Sequence, residues 1–256
     1  MFDLYESINA INGNQAAVCF GRGEKENDPN VHRISPKGEV IFHALMSRIT
    51  GLNGFFSPIA TWRFKNIIKK FQPDIVHIHE IHGYYININS ILKYLKKKNI
   101  KTVMTLHCEY MYLAKGCGKF NGIKKTMKNE YPKSWIFDNS HFLAKKYEKL
   151  FDNFENIIFT TPSDWLKKRA QESFLKTKKF LTIHNGTNID KIFYPRNTDL
   201  LRQKLGLKNK RILLAVADDI MSENKGGLKI LELARRLEYK EDIVFILVGF
   251  KGDMEK

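Results

Sequence analysis

PDIVHIHEIHGYY, Pro73 to Tyr85, and KTVMTLHCEY, Lys101 to Tyr110, decide the fold. Each opens with a short β-branched run and reaches histidine where the run ends. Between them lies INSILKYLKKKNI, whose apolar residues recur at helical spacing. The order is strand, helix, strand, which is the unit of a parallel α/β sheet. In such sheets ligands sit beyond the strand C-termini. His77, His79, His82 and His107 therefore fall where chemistry is usually placed, and imidazole suits a proton-handling or anion-contacting role near neutral pH. The competing reading for each is a strand-end residue satisfied by its neighbours.

The same alternation extends in both directions. Phe2 to Ile11 reads as a helix stopped at Asn12-Gly13, and Gln15 to Phe20 as a strand. Gly21 to Lys37, rich in Gly, Asn, Asp and Pro, reads as a loop. Helices are expected at 39–49 and 59–71, a strand at 74–79, a helix at 86–98 and a strand at 101–106. Cys108 to Lys133 has weak periodicity and reads as a long loop. Helix 139–150, strand 156–160, helix 163–174 and strand 179–184 follow. The whole predicts a doubly wound α/β sheet.

A boundary follows at IHNGTNIDKIFYPRN, Ile183 to Asn197, after which the pattern restarts. RILLAVADD, LKILELARRL and DIVFILVG read as strand, helix and strand of a second, incomplete domain. The expected division is 1–184, a linker at 185–197, and 198–256. Between the first of these strands and the helix, SENKGG brings Lys225, Gly226 and Gly227 to a helix start. Glycine admits close backbone approach, helix N–H groups point outward and lysine adds charge, so the turn reads as an anion cradle. It has neither P-loop nor G-x-G-x-x-G spacing, and a simple helix cap is the alternative.

Composition bounds the rest. The 256 residues are 43% hydrophobic with 12% aromatics, too apolar for disorder. No apolar run reaches the roughly 20 residues of a membrane span, and Met1 opens onto FDLYESINAING rather than a basic-then-apolar leader. Cys19, Cys108 and Cys117 make no disulfide framework. A cytoplasmic protein is expected. The formal charge of +16 favours an anionic partner. Much of the lysine, as at Lys93, Lys96, Lys97, Lys98, Lys145, Lys146 and Lys149, reads as solvated helix faces. No nucleic-acid motif accompanies it, so nucleic acid is not an expected partner.

Taken in order, PDIVHIHE, TVMTLH, TPSDWLKK, IHNGTNIDKIFYP and VADDIMSENKGG with its following helix and strand resemble the family-4 retaining glycosyltransferases of GT-B fold. Within them the chain is most similar to the bacterial polysaccharide-building enzymes. The resemblance implies two Rossmann-like domains, a nucleotide-sugar donor held mainly by the second, and a glycan or lipid-linked acceptor held mainly by the first. It implies no cofactor beyond the donor substrate. His107 matches the histidine beside the transferred sugar. His79, His82, Ser163, Asn185 and Gly186 are expected to contact substrate, with a helix N-cap as the alternative for Ser163, and Lys225 with Gly226 and Gly227 the donor diphosphate. An acceptor on a lipid would add an anionic membrane surface as partner, reached peripherally from the inner face through lysines near 65–70, 93–98 and 119–128.

The departures matter too. Cys108 stands where many relatives carry aspartate, and Asp218-Asp219 where many carry arginine. The family's first strand and Gly-rich loop would precede Met1, and its donor-gripping glutamate pair would follow Lys256. The chain is thus expected to be truncated at both ends and weakly active or inactive. A catalytically dead remnant, or a non-enzymatic anion-binding α/β protein, stays open beside the enzyme. No metal site is expected, since Cys108, Cys117 and His107 lack paired ligand spacing.

Overall fold

The alternation of β-branched runs and apolar-periodic segments is realised in the computed structural model, which describes residues 1–24, 27–113, 134–190, 192–222 and 225–249. These divide into two units, Met1–Gly186 and Thr187–Lys256. The first runs α1 (Phe2–Asn9), β1 (Val18–Phe20), β2 (Val31–Arg33), α2 (Lys37–Thr50), α3 (Pro58–Phe71), β3 (Ile75–His79) and α4 (Ile88–Lys97). It continues with β4 (Lys101–Thr105), α5 (Tyr110–Leu113), α6 (Ser140–Asp152), β5 (Ile157–Thr161), α7 (Asp164–Gln171) and β6 (Phe180–Thr182).

β3, β4, β5 and β6 form a four-stranded sheet in that order, all parallel. Side chains alternate between its faces with period two. Val76, Ile78, Met104, Ile157, Phe159 and Phe180 are buried on one face. His77, His79, Val103, Ile158 and Leu181 take the alternate positions and stay half-buried or exposed. The buried face packs on helices. In α4, Ile88, Ile91, Leu92 and Leu95 are buried, which is the i, i+3, i+4, i+7 stripe of an amphipathic helix. The Asn87 side chain caps it, accepting from Ser90 N at 2.8 Å. Leu143, Tyr147, Leu150 and Phe151 of α6 join the same core. Each large side chain so buried contributes about 1.5–3 kcal/mol.

The turn from α2 into α3 is built from buried polar groups. Pro58 occupies the first turn of α3, where its missing N–H costs nothing. The Glu39 carboxylate accepts the N–H groups of Ile59 and Ala60 at 2.6 and 3.0 Å. His43 is fully buried. Its Nε2 accepts from Gly54 N at 3.1 Å, so Nδ1 carries the proton and donates to Ser57 Oγ at 2.7 Å.

Three sequence expectations need correction. Gly21 to Lys37 is not all loop, because β2 lies within it and pairs in parallel with β1. A three-residue strand holding one β-branched residue has no periodicity to read, and its partner supplies what its own sequence does not. The strands of this unit also make two sheets, β1-β2 and β3-β4-β5-β6, rather than one. The expected long loop from Cys108 instead opens with the short helix α5, and most of the rest, 114–133, lies outside the described residues, with Cys117 and the lysines near 119–128.

The second unit contains α8 (Asp199–Lys204), β7 (Arg211–Val216), α9 (Gly227–Arg236) and β8 (Ile243–Val248). β7 and β8 pair in parallel over their whole length. Leu213, Leu214, Val216, Leu228 and Leu233 are exposed. Gly249 ends β8 at φ +92°, and a Cβ there would lie 1.6 Å from the Ala217 carbonyl oxygen, so the β7 and β8 ends meet only through glycine.

Candidate functional site

Because β3 to β6 are parallel, their C-termini share one sheet edge, and the chain leaves each strand there into a loop. His79 is the last residue of β3, His107 follows β4, Ser163 follows β5, and Asn185 and Gly186 follow β6. The first two are brought together: His79 Nδ1 and His107 Nε2 are 3.3 Å apart, with the rings stacked at 5.6 Å between centroids. The His77 ring lies 4.1 Å from that of His79. His77 Nε2 in turn meets Thr105 Oγ1 at 2.7 Å, and Thr105 Oγ1 meets Thr160 Oγ1 at 2.6 Å. A polar row thus crosses three strands beneath the edge.

Burial pushes the His79 imidazole down to about 4, with the charges of His77 and His107 adding to it. Burial also lowers His77. At neutral pH His79 is therefore uncharged, which suits hydrogen bonding to hydroxyls better than pairing with an anion. Its Nε2 is buried and makes no hydrogen bond among the described residues.

Glu80 organises the neighbouring loop, with its backbone at φ +32°. Its Oε1 accepts the N–H groups of His107 and Cys108 at 2.6 and 3.0 Å. Its Oε2 lies 2.6 Å from His82 Nδ1 and 3.5 Å from Cys108 Sγ. Burial alone would raise this carboxyl, but the hydrogen bond and charge of His82, with the His107 N–H, hold it below its ordinary value. His82 also stacks on Tyr110, with 4.7 Å between ring centroids. Glu80 was not among the residues singled out from sequence. The available signal was the Glu-x-His spacing of Glu80 and His82 just beyond β3, facing the His-Cys pair beyond the neighbouring strand.

The other expected residues are placed as follows. Ser163 is the N-cap of α7, its Oγ accepting from Leu166 N at 3.3 Å. Asn185 and Gly186 are exposed, and a Cβ on Gly186 would meet nothing within 4 Å. In the second unit, α9 begins at Gly227, with Gly226 at φ 75° as its N-cap and Lys225 exposed beside it. A Cβ on Gly227 would lie 2.3 Å from the Ile220 carbonyl oxygen, so that glycine is required by packing in its own unit.

The fold and this edge define a Rossmann-like parallel α/β protein with a histidine-rich strand-end site. Residues 10–191 match the family model described as Glycosyltransferase Family 4. The chain belongs to that family. No curated protein matches it. The matched stretch contains every candidate residue of the first unit, whereas Lys225, Gly226 and Gly227 lie outside it.

Proposed function

We propose that this glycosyltransferase-family protein moves a sugar from a nucleotide-sugar donor to a glycan or lipid-linked acceptor in polysaccharide biosynthesis, with retention of configuration. The observation that carries the reading is the His79–His107 pair, Nδ1 to Nε2 at 3.3 Å, at the C-terminal edge of a parallel sheet. In this reading His107 lies beside the transferred sugar, and its backbone is anchored by Glu80. His79, neutral at working pH, and His82 orient hydroxyls. Ser163, Asn185 and Gly186 contribute further substrate contacts. Lys225, with the backbone of Gly226 and Gly227, neutralises the leaving diphosphate. The protein then supplies orientation and electrostatics rather than a nucleophile, and the chemistry calls for no cofactor besides the donor.

Support for an acceptor at an anionic surface comes from a groove of about 430 Å³ in the first unit, lined by Lys93, Lys96, Lys97, Lys146 and Lys149. Among the described residues no helix is long and apolar enough to cross a membrane, so contact through these helices would be peripheral. The test is a panel of nucleotide sugars with isolated polysaccharide or lipid-linked acceptors, read as nucleoside diphosphate release and as labelled product. Acceptor-dependent release supports transfer. Tight donor binding without release under any acceptor would favour the non-catalytic anion-binding reading instead.

A further inference from the structure

Beyond glycosyl transfer, we infer that Glu80, His82 and Cys108 form a site for one zinc-class transition-metal ion. One ligand atom from each, a carboxylate oxygen, an imidazole nitrogen and the thiol sulfur, lies within 4.8 Å of the others. Oxygen, nitrogen and sulfur donors together are a set that zinc accepts, and three protein ligands plus water is a familiar four-coordinate arrangement. A tetrahedral zinc with bonds of about 2.0–2.3 Å spaces its ligand atoms roughly 3.3–3.7 Å apart. Cys108 Sγ and Glu80 Oε2 already stand 3.5 Å apart. His82 Nδ1 and Glu80 Oε2, at 2.6 Å, need to open by about 1 Å.

The surroundings hold these ligands in place. The second Glu80 oxygen is fixed by two backbone N–H groups, and the His82 ring lies against fully buried Tyr110. Such outer contacts orient ligands and raise affinity. On binding, the Cys108 thiol and His82 Nδ1 each release a proton to solvent, leaving the imidazole neutral with its proton on Nε2. Carboxylate, thiolate and dication then sum to zero charge, which suits side chains only about a quarter exposed, 24% for His82 and 28% for Glu80. The ion ties the loop after β3 to the end of β4, directly beside His107.

The probe is Co²⁺ added to the purified chain under reducing conditions, with Zn²⁺ as competitor. One equivalent should give a near-ultraviolet thiolate-to-cobalt band and tetrahedral visible absorption, both removed by Zn²⁺. Cys108→Ser should abolish the ultraviolet band. His82→Gln and Glu80→Gln should each weaken binding at least about tenfold. Cys19→Ser and Cys117→Ser should leave the band unchanged, and far-ultraviolet circular dichroism checks that every variant is folded. Absence of the band in the parent chain, or its loss in folded Cys117→Ser but not in Cys108→Ser, would overturn the assignment.

Discussion

Replacing His43 by phenylalanine should change how the protein responds to acid, and the size of the change follows from the site. His43 is fully buried and set edge-on to Phe56 and Tyr84, with ring centroids at 5.5 and 5.9 Å. Burial pushes its imidazole down to about 4. In the unfolded chain it titrates near the ordinary value of about 6.5. Below that value the unfolded state binds the proton and the folded state does not. Stability therefore falls as pH drops from about 6.5 toward 4, and the interval corresponds to about 3 kcal/mol. The phenylalanine variant keeps the ring volume but cannot titrate. At pH 7 it should be less stable than the parent, because Gly54 N–H and Ser57 Oγ lose their partner, at about 1–3 kcal/mol for each group left unpaired. Between pH 7 and 4 that gap should close by about 3 kcal/mol. His77 and His79, also lowered, act equally in both proteins and cancel in the difference. Urea unfolding of the two proteins across this range measures the gap. A gap that stays constant with pH would refute a neutral, buried His43.

Ser163→Ala should cost about 1 kcal/mol of stability through loss of the α7 cap; a fall in transfer beyond that expected from the folded fraction would add a substrate role. Lys225→Ala should weaken nucleoside diphosphate binding by about 1.5–3 kcal/mol in calorimetry, and equal affinity would remove Lys225 from the donor site. Sedimentation with anionic vesicles should fall as salt rises, since exposed charges are screened within about 10 Å at 0.1 M. Salt-insensitive binding, or none, would remove the lysine faces as a membrane contact.

The elements that sequence revealed are those whose stability is local. The α4 stripe of Ile88, Ile91, Leu92 and Leu95, with Asn87 before it, is a complete helix signal within one segment. β3 and β4 were legible because β-branched runs flank that helix. The strand-end histidines were legible for the same reason, since parallel strands bring their C-termini to one edge. What escaped depends on partners distant in sequence. β2 exists through pairing with β1. Glu39 caps α3 across a break that carries no pattern pointing to it. The meeting of Glu80 with Cys108 needs the β3–β4 register, in which His79 faces Thr105, and no single stretch encodes that. Ser163 shows a further difficulty, because a strand-end serine and a helix cap have the same local sequence.

The most direct measurement is nucleotide-sugar turnover by His107→Ala beside the parent chain, with the folded fraction of each determined by thermal unfolding. His107 is exposed, and among the described residues its side-chain hydrogen bond is with His79 across the sheet edge, so the variant should fold normally. Transfer should fall on the order of 100-fold with donor affinity little changed. Undiminished transfer by the folded variant would contradict the assignment of glycosyl transfer to this edge.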